Sequence, residues 1–330
     1  MLNYKRYRYR RLSVPLFLFI LVACSGGGDD ADSSPQQANV NRNTAAVEAF
    51  YTESTTPASV KASAIYGLEI PSLSTGSANA FIVHTLPDGT LNYCVGYNTQ
   101  LKANCWTAFK WYNGFSSNNK NWNRNNWKQG ETFNGYGGNG DPFQPDYVLP
   151  QALRISSGDY SYSGYQRGHL LGSADRLNSR DANGQTFYMS NMHPQLAGFN
   201  EQGIWWNLEN FLRGTYDNST FRDTLYVVKG GTISEGKYKM VGSSRNLVCP
   251  NYFYMAILRY AGKFSRINGG YAAIGYWMEH KENADGVSSK YAISIDELEK
   301  RTGIDFFCNL PDDIENTVEG IFYLSDWRLK

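Results

Sequence analysis

Histidine is scarce in this chain, with four in 330 residues, so chemistry needing a base that titrates near neutral pH has few places to sit. An excess of either charge is also missing. With 31 basic and 30 acidic residues, broad electrostatic capture of a polyanion is not written in the composition, and polyanion chemistry must rest on locally placed arginines. The N-terminal apolar run from Val14 to Ala23 has ten residues, where a membrane-spanning helix needs about 20. There is no internal repeat, no C-x-x-C and no histidine beside a cysteine, which argues against a solenoid and against a zinc site. Hydrophobic residues make up 42% of the chain, enough for a real core, so disorder of the whole is excluded.

The first residues read as an export signal. Lys5, Arg6, Arg8, Arg10 and Arg11 form a basic stretch ahead of the short apolar run. Leu21-Val22-Ala23-Cys24 resembles the lipobox of bacterial lipoproteins, which implies cleavage after residue 23 and lipid on Cys24. Losing residues 1–23 leaves 26 basic against 30 acidic residues, a slightly acidic mature chain. Residues 24–62, rich in Gly, Ser, Asp, Asn and Gln, read as a flexible linker, and residues 63–330 as one globular domain. The expected location is outside the cytoplasm, lipid-anchored to a bacterial outer membrane and facing either the periplasm or the cell exterior. Cys94, Cys105, Cys249 and Cys308 remain, an even number in an exported chain, so two disulfides are expected. Three pairings are open; Cys94 with Cys105 and Cys249 with Cys308 is the preferred one.

Strand-like runs dominate the domain. "NAFIVHTL", "LNYCVGY" and "CWTAFKWY" are β-branched and aromatic, and turn signals such as Pro87-Asp88-Gly89 separate them into an antiparallel meander. Residues 113–150 form a long Asn-, Gly- and Trp-rich irregular stretch. "NEQGIWWNLENFLR" has Ile204, Leu208 and Leu212 four apart, which predicts a helix capped by Asn200 and closed by Gly214. "TLYVVKGG", "YFYMAILRY" and "GYAAIGYWM" return to strands, and Ser294 with Glu297 caps another short helix.

"GYQRGHLLGSADR" concentrates the chemistry. Arg167-Gly168 reads as a turn that presents His169, and downstream stand Asn191 in "SNMHPQ", then Asn200, Glu209 and Arg213. Together they supply one base, guanidinium groups for phosphate oxygens, and amide and carboxylate oxygens suited to a hard cation. His84, His193 and His280 read as structural or solvated. Tyr162, Tyr165, Trp205 and Trp206, near these motifs, read mainly as packing, with a ring or two available to stack on unpaired bases.

Gln166-Arg167-Gly168-His169, Ser190-Asn191-Met192-His193-Pro194-Gln195 and Asn200 to Glu209 resemble, in order, the D-R-G-H, S-N-x-x-P-Q and N-x-G-x-W-x-x-L-E motifs of the DNA/RNA non-specific endonucleases. The resemblance runs from about Leu68 to Asp326. It implies an α+β fold, a central antiparallel sheet flanked by helices, with a ββα-metal (His-Me finger) catalytic unit. It implies hydrolysis of DNA and RNA with little sequence preference, with His169 as general base and Mg²⁺, or else Mn²⁺, held directly by Asn200 and through water by Glu209. Arg167, Arg213 and Arg124 match phosphate-contacting positions, and Asn191 a turn residue that positions the site. Beyond nucleic acid and a membrane reached through the N-terminal lipid, no protein partner is implied.

Two positions depart from the pattern. Gln166 stands where the family has Asp, removing a negative charge. Asn200 precedes Glu209 by nine positions where the family has eight, which places the two on opposite faces of one continuous helix. Asn200 must then lie at or before the cap, or the first turn must bulge. Glu201, eight before Glu209, is the alternative ligand. The competing reading from a different class is a surface lipoprotein that binds nucleic acid or glycan on the same fold with weakened catalysis.

Overall fold

A computed structural model describes residues 39–44, 49–73, 76, 78–262 and 268–330, all within the compact unit Gln37–Lys330. The proposed signal segment, Cys24 and the first part of the linker lie outside the described residues.

The fold is α+β. Strands β1 (Phe50–Thr52), β2 (Asn79–Thr85), β3 (Leu91–Asn98) and β4 (Ala103–Tyr112) begin the large sheet. Small pairs follow: β5 (Thr132–Phe133) with β6 (Tyr136–Gly137), and β7 (Gln166–His169) with β8 (Met192–Gln195). β9 (Thr224–Gly231), β12 (Tyr252–Tyr260), β13 (Tyr271–Glu279) and β14 (Ala292–Ile293) complete the sheet, while β10 (Tyr238–Val241) and β11 (Leu247–Pro250) form a third small pair. The eight strands run in the order β1-β2-β3-β4-β9-β12-β13-β14, antiparallel throughout except for parallel β1 and β2. The expected β2-β3-β4 meander is present, and Gly89 at φ 84° makes the first turn possible.

The helices are α1 (Ala58–Ser63), α2 (Arg180–Gln185), α3 (Ala197–Asn200), α4 (Ile204–Phe211), α5 (Ile295–Thr302) and α6 (Asp312–Gly320). Because side chains alternate across a strand, the continuous apolar runs bury both faces of the sheet. Phe109, Trp111, Leu225, Val227 and Met255 face α4, which contributes Ile204, Trp205 and Leu208. Ala108, Val228, Tyr254 and Ala256 face the other way, under Ile295 and Leu298 of α5 and Val318 of α6. The Ser294 cap forms as expected, its side chain accepting from Glu297 N.

Order begins earlier than residue 63. Phe50, Tyr51 and Thr52 pair with Phe81, Ile82 and Val83, and Asn43 is buried, donating its side chain to the Ile65 and Pro71 carbonyls at 3.1 Å each. An aromatic, β-branched triplet and a buried amide belong to the domain, so the linker expected over 24–62 ends sooner.

The expected disulfides are absent: Cys94, Cys105, Cys249 and Cys308 are free thiols. Cys94 pairs with Ala108 on the neighbouring strand, three positions from Cys105, which is the unpaired residue of the bulge at Gly96/Tyr97. That offset, about 10 Å at 3.3 Å per residue, exceeds the reach of a disulfide. Cys249 lies on β11 beside Pro194 and His280, whereas Cys308 donates to the Ile70 carbonyl at 3.7 Å in the core under α5. Burial pushes the Cys105 thiol up to about 12 and the Cys249 thiol up to about 11.

Candidate active site

β7, β8 and the α3-α4 segment form a ββα unit standing on the face of the sheet that α4 covers. The register pairs Gln166 with Gln195, Arg167 with Pro194, Gly168 with His193 and His169 with Met192. Arg167-Gly168 is therefore strand, not the expected turn. Glycine is needed at 168 for a different reason: a Cβ there would lie 2.2 Å from the Gln195 side chain packed across it.

Asn191 secures the strand from below. Leu170 N donates to its carbonyl at 3.0 Å, Leu171 N to its Oδ1 at 2.9 Å, and its Nδ2 returns to the Leu171 and Thr186 carbonyls. The side chain is fully buried and away from the open depression, so Asn191 acts by holding the backbone after His169. His193 is likewise buried, edge-on to Phe253.

The helix expected from Asn200 to Arg213 is broken. Asn200 is the last residue of the single-turn α3, and α4 starts at Ile204 with Gly203 in extended conformation before it. The interruption removes the conflict over nine positions, since Asn200 and Glu209 no longer share a helix. Gly203 allows the break because a side chain there would meet the Gly198 carbonyl at 2.1 Å. At the other end, Gly214 does not stop the helix. A π-helical turn, Leu212–Tyr216, continues it and carries Arg213.

A depression of about 770 Å³ gathers Arg124, Arg167, His169, Asn200, Glu201, Glu209 and Arg213. A second depression meets it at Arg124, Phe143 and His169 and adds Lys120 and Lys128. Of the residues expected at the site, Asn191 alone stays out of this space.

His169 packs between Phe143 and Phe187, with ring centroids at 5.3 and 5.1 Å. Its Nε2 is buried without a hydrogen-bond partner. Burial, and after it the charge of Arg124, depress the imidazole to about 3, so the ring is neutral at physiological pH.

Gln166 links the two candidate ligands. Asn200 Nδ2 donates to Gln166 Oε1 at 2.8 Å, and Gln166 Nε2 donates to Glu201 Oε1 at 2.6 Å. The Asn200 amide is thereby turned with its nitrogen toward Gln166, leaving its oxygen available.

Four charges interlock behind this layer. Lys229 Nζ, fully buried, lies 2.8 Å from Glu209 Oε1 and 3.4 Å from Asp175 Oδ2. Arg213 Nη1 donates to Asp175 Oδ1 at 2.7 Å, so it pairs with Asp175 and not with Glu209 one turn before it. Burial alone would raise the Asp175 carboxyl, but Lys229 and Arg213 hold it below the usual carboxylate range. Burial raises Glu209 despite Lys229.

Arg167 bonds both Asp141 oxygens, at 3.0 and 3.1 Å, and its guanidinium lies 3.8 Å from the Phe143 ring centroid. Arg124 starts a short 3-10 turn, Arg124–Lys128, opened by Asn123 accepting from Asn125 N. It has no carboxylate partner among the described residues, and burial together with Arg213 lowers its pKa.

Asp175, Lys229 and Asp141 carry no recognisable role in the sequence. Lys229 did leave a signal: a lone lysine inside "TLYVVKGG", alternating onto the same face as Leu225 and Val227, must find a carboxylate if that face is buried.

Residues 84–313 match the family described as DNA/RNA non-specific endonuclease. The chain is 31% identical over 197 residues to a nuclease from Nostoc sp., covering 58% of this chain and 69% of that one. It is 31% identical over 176 residues to the mitochondrial endonuclease G of Caenorhabditis elegans, covering 51% of this chain and 55% of that one. It spans about half the length of several such relatives, including the mitochondrial nuclease of Saccharomyces cerevisiae at 54%. The fold resembles that in the crystal structure of an EndoG/EndoGI complex, with a TM-score of 0.54 at 22% identity over 69% of this chain and 86% of that one. With the motifs, the ββα unit and a match over most of the domain in agreement, the chain belongs to the DNA/RNA non-specific endonuclease family, a family of metal-dependent nucleases.

Proposed function

We propose that this hydrolase is a Mg²⁺-dependent endonuclease that cuts phosphodiester bonds of DNA and RNA outside the cytoplasm, held to a bacterial outer membrane by lipid on Cys24. The observation that carries the reading is the unpartnered Nε2 of His169, buried where two depressions bearing Arg124, Arg167, Arg213, Lys120 and Lys128 meet.

The donor set fits a hard cation. The Asn200 amide oxygen is available, and Glu201 and Glu209 add carboxylates, with no sulfur or imidazole ligand among them. Asn200 would hold Mg²⁺ directly and Glu209 through water, with Glu201 as the alternative ligand and Mn²⁺ as the alternative metal. Such an ion supplies charge neutralisation at the phosphate and the leaving oxygen.

The chain's own groups account for the rest. Neutral His169, which lines both depressions, can accept a proton from water. In the free site its pKa is low for a base, and Arg124 contributes to that depression. A bound phosphodiester offsets the Arg124 charge, which raises His169 toward the working range when substrate is present. Arg213 and Arg167 are poised for phosphate oxygens, the first oriented by Asp175 and the second exchanging Asp141 for substrate. These contacts address the backbone and not the bases, in keeping with cleavage of both nucleic acids.

Plasmid DNA and RNA incubated with the purified protein test the reading. Cleavage is expected with Mg²⁺, none with chelator, and a loss of at least about a hundredfold in His169→Ala. Full activity in that variant would overturn His169 as the base, and no cleavage by the parent would favour the alternative of a binding lipoprotein. The fit of Gln166 between Asn200 and Glu201 weighs against that alternative.

A further inference from the structure

Helices α5 and α6 cover the face of the sheet opposite the His169 depression, and three carboxylates converge between them. One oxygen each from Asp296, Glu299 and Glu319 lies within 4.8 Å of the other two. Glu319 is 6% exposed, and its Oε1 is buried with no hydrogen-bond partner. The strongest charges acting on it are all acidic: Glu299, Glu315, Asp305 and Asp296. Of the two cations on α5, Arg301 is turned to Glu297 at 2.8 Å, and exposed Lys300 makes no ion pair with these three carboxylates among the described residues. Glu299 accepts from Phe306 N at 2.7 Å, which anchors its side chain.

A carboxylate oxygen left without a partner inside a protein needs a proton or a cation. Ca²⁺ binds oxygen at about 2.3–2.6 Å, so oxygens on opposite sides of one ion stand up to about 5 Å apart; for Mg²⁺ the corresponding limit is about 4.2 Å. Three oxygens all within 4.8 Å of one another can share one Ca²⁺, and exposed Asp296 provides a route of entry from solvent. We propose that Asp296, Glu299 and Glu319 form a second divalent-cation site, fitted to Ca²⁺, that ties α5 to α6. The site is independent of the nuclease reading, because none of its residues lines the His169 depression.

The test titrates CaCl₂ into the full chain carrying Asn200→Ala, which weakens the other metal site, and follows the thermal midpoint. A saturable rise of about 5 °C is expected at a hundredfold excess over Kd. That rise is lost when Glu319→Gln is added, and equally with Asp296→Asn, whose exposed position makes the variant safe for folding. A rise that survives Asp296→Asn overturns the site. So does a parent that ignores Ca²⁺ and is stabilised by mild acid instead, the behaviour of carboxylates sharing protons.

Discussion

Asn200 donates its side-chain nitrogen to Gln166 Oε1 at 2.8 Å, so the residue that replaces the family's aspartate still orients the proposed metal ligand. What differs is the second half of the amide, whose Nε2 reaches Glu201. An aspartate could not make that donation without a proton.

Removing the bridge in Gln166→Ala should therefore weaken metal activation more than catalysis. The metal concentration giving half-maximal cleavage is expected to rise about 10- to 100-fold, with most of kcat recovered at saturating metal. An unchanged activation curve in a Mg²⁺ titration would show that Gln166 does not orient the ligand.

Lys229 holds two buried carboxylates at once. In Lys229→Met both Asp175 and Glu209 lose their shared cation inside the protein. A destabilisation of about 3–5 kcal/mol is expected in urea unfolding. A loss under about 1 kcal/mol would mean that Arg213 alone satisfies the pair.

His84 is fully buried between Glu53, 2.8 Å from Nδ1, and Asp146, 3.1 Å from Nε2. Burial opposes its charge, but the two carboxylates outweigh it and raise the imidazole to about 10. A raised pKa stabilises the fold fully below the unfolded value near 6.5, and that contribution disappears as pH climbs toward 10. Stability should fall between those limits by on the order of a few kcal/mol. His84→Gln should be less stable near pH 6 and show a flatter profile; parallel profiles for the two proteins would remove His84 as the cause.

The free thiols make stability independent of reductant. Thermal midpoints with and without dithiothreitol should agree within about 1 °C, whereas loss of a native disulfide costs about 2–5 kcal/mol. Buried Cys94, Cys249 and Cys308 should react with a thiol reagent only after unfolding, whereas half-buried Cys105 is the one expected to react first.

The strands and the motif order were legible locally, because β-branched runs between turn residues and the sequence around His169 do not depend on distant partners. The disulfide expectation failed for the opposite reason. An even cysteine count says nothing of register, and the strand offset between Cys94 and Cys105 exists only once β3 and β4 pair around their bulge.

By itself the sequence determined the α+β sheet and the family, and it singled out His169, Asn200, Glu209, Arg167, Arg213 and Arg124, which the fold gathers around one depression. Tertiary structure alone decided that the helix breaks at Gly203, that Gln166 joins Asn200 to Glu201, and that Asp175 and Lys229 lock Glu209 and Arg213 from behind. The division is physical. Periodicity and motifs record what a residue does for its own segment, whereas a buried charge records only a need, which is met by whichever opposite charge folding brings within about 4 Å.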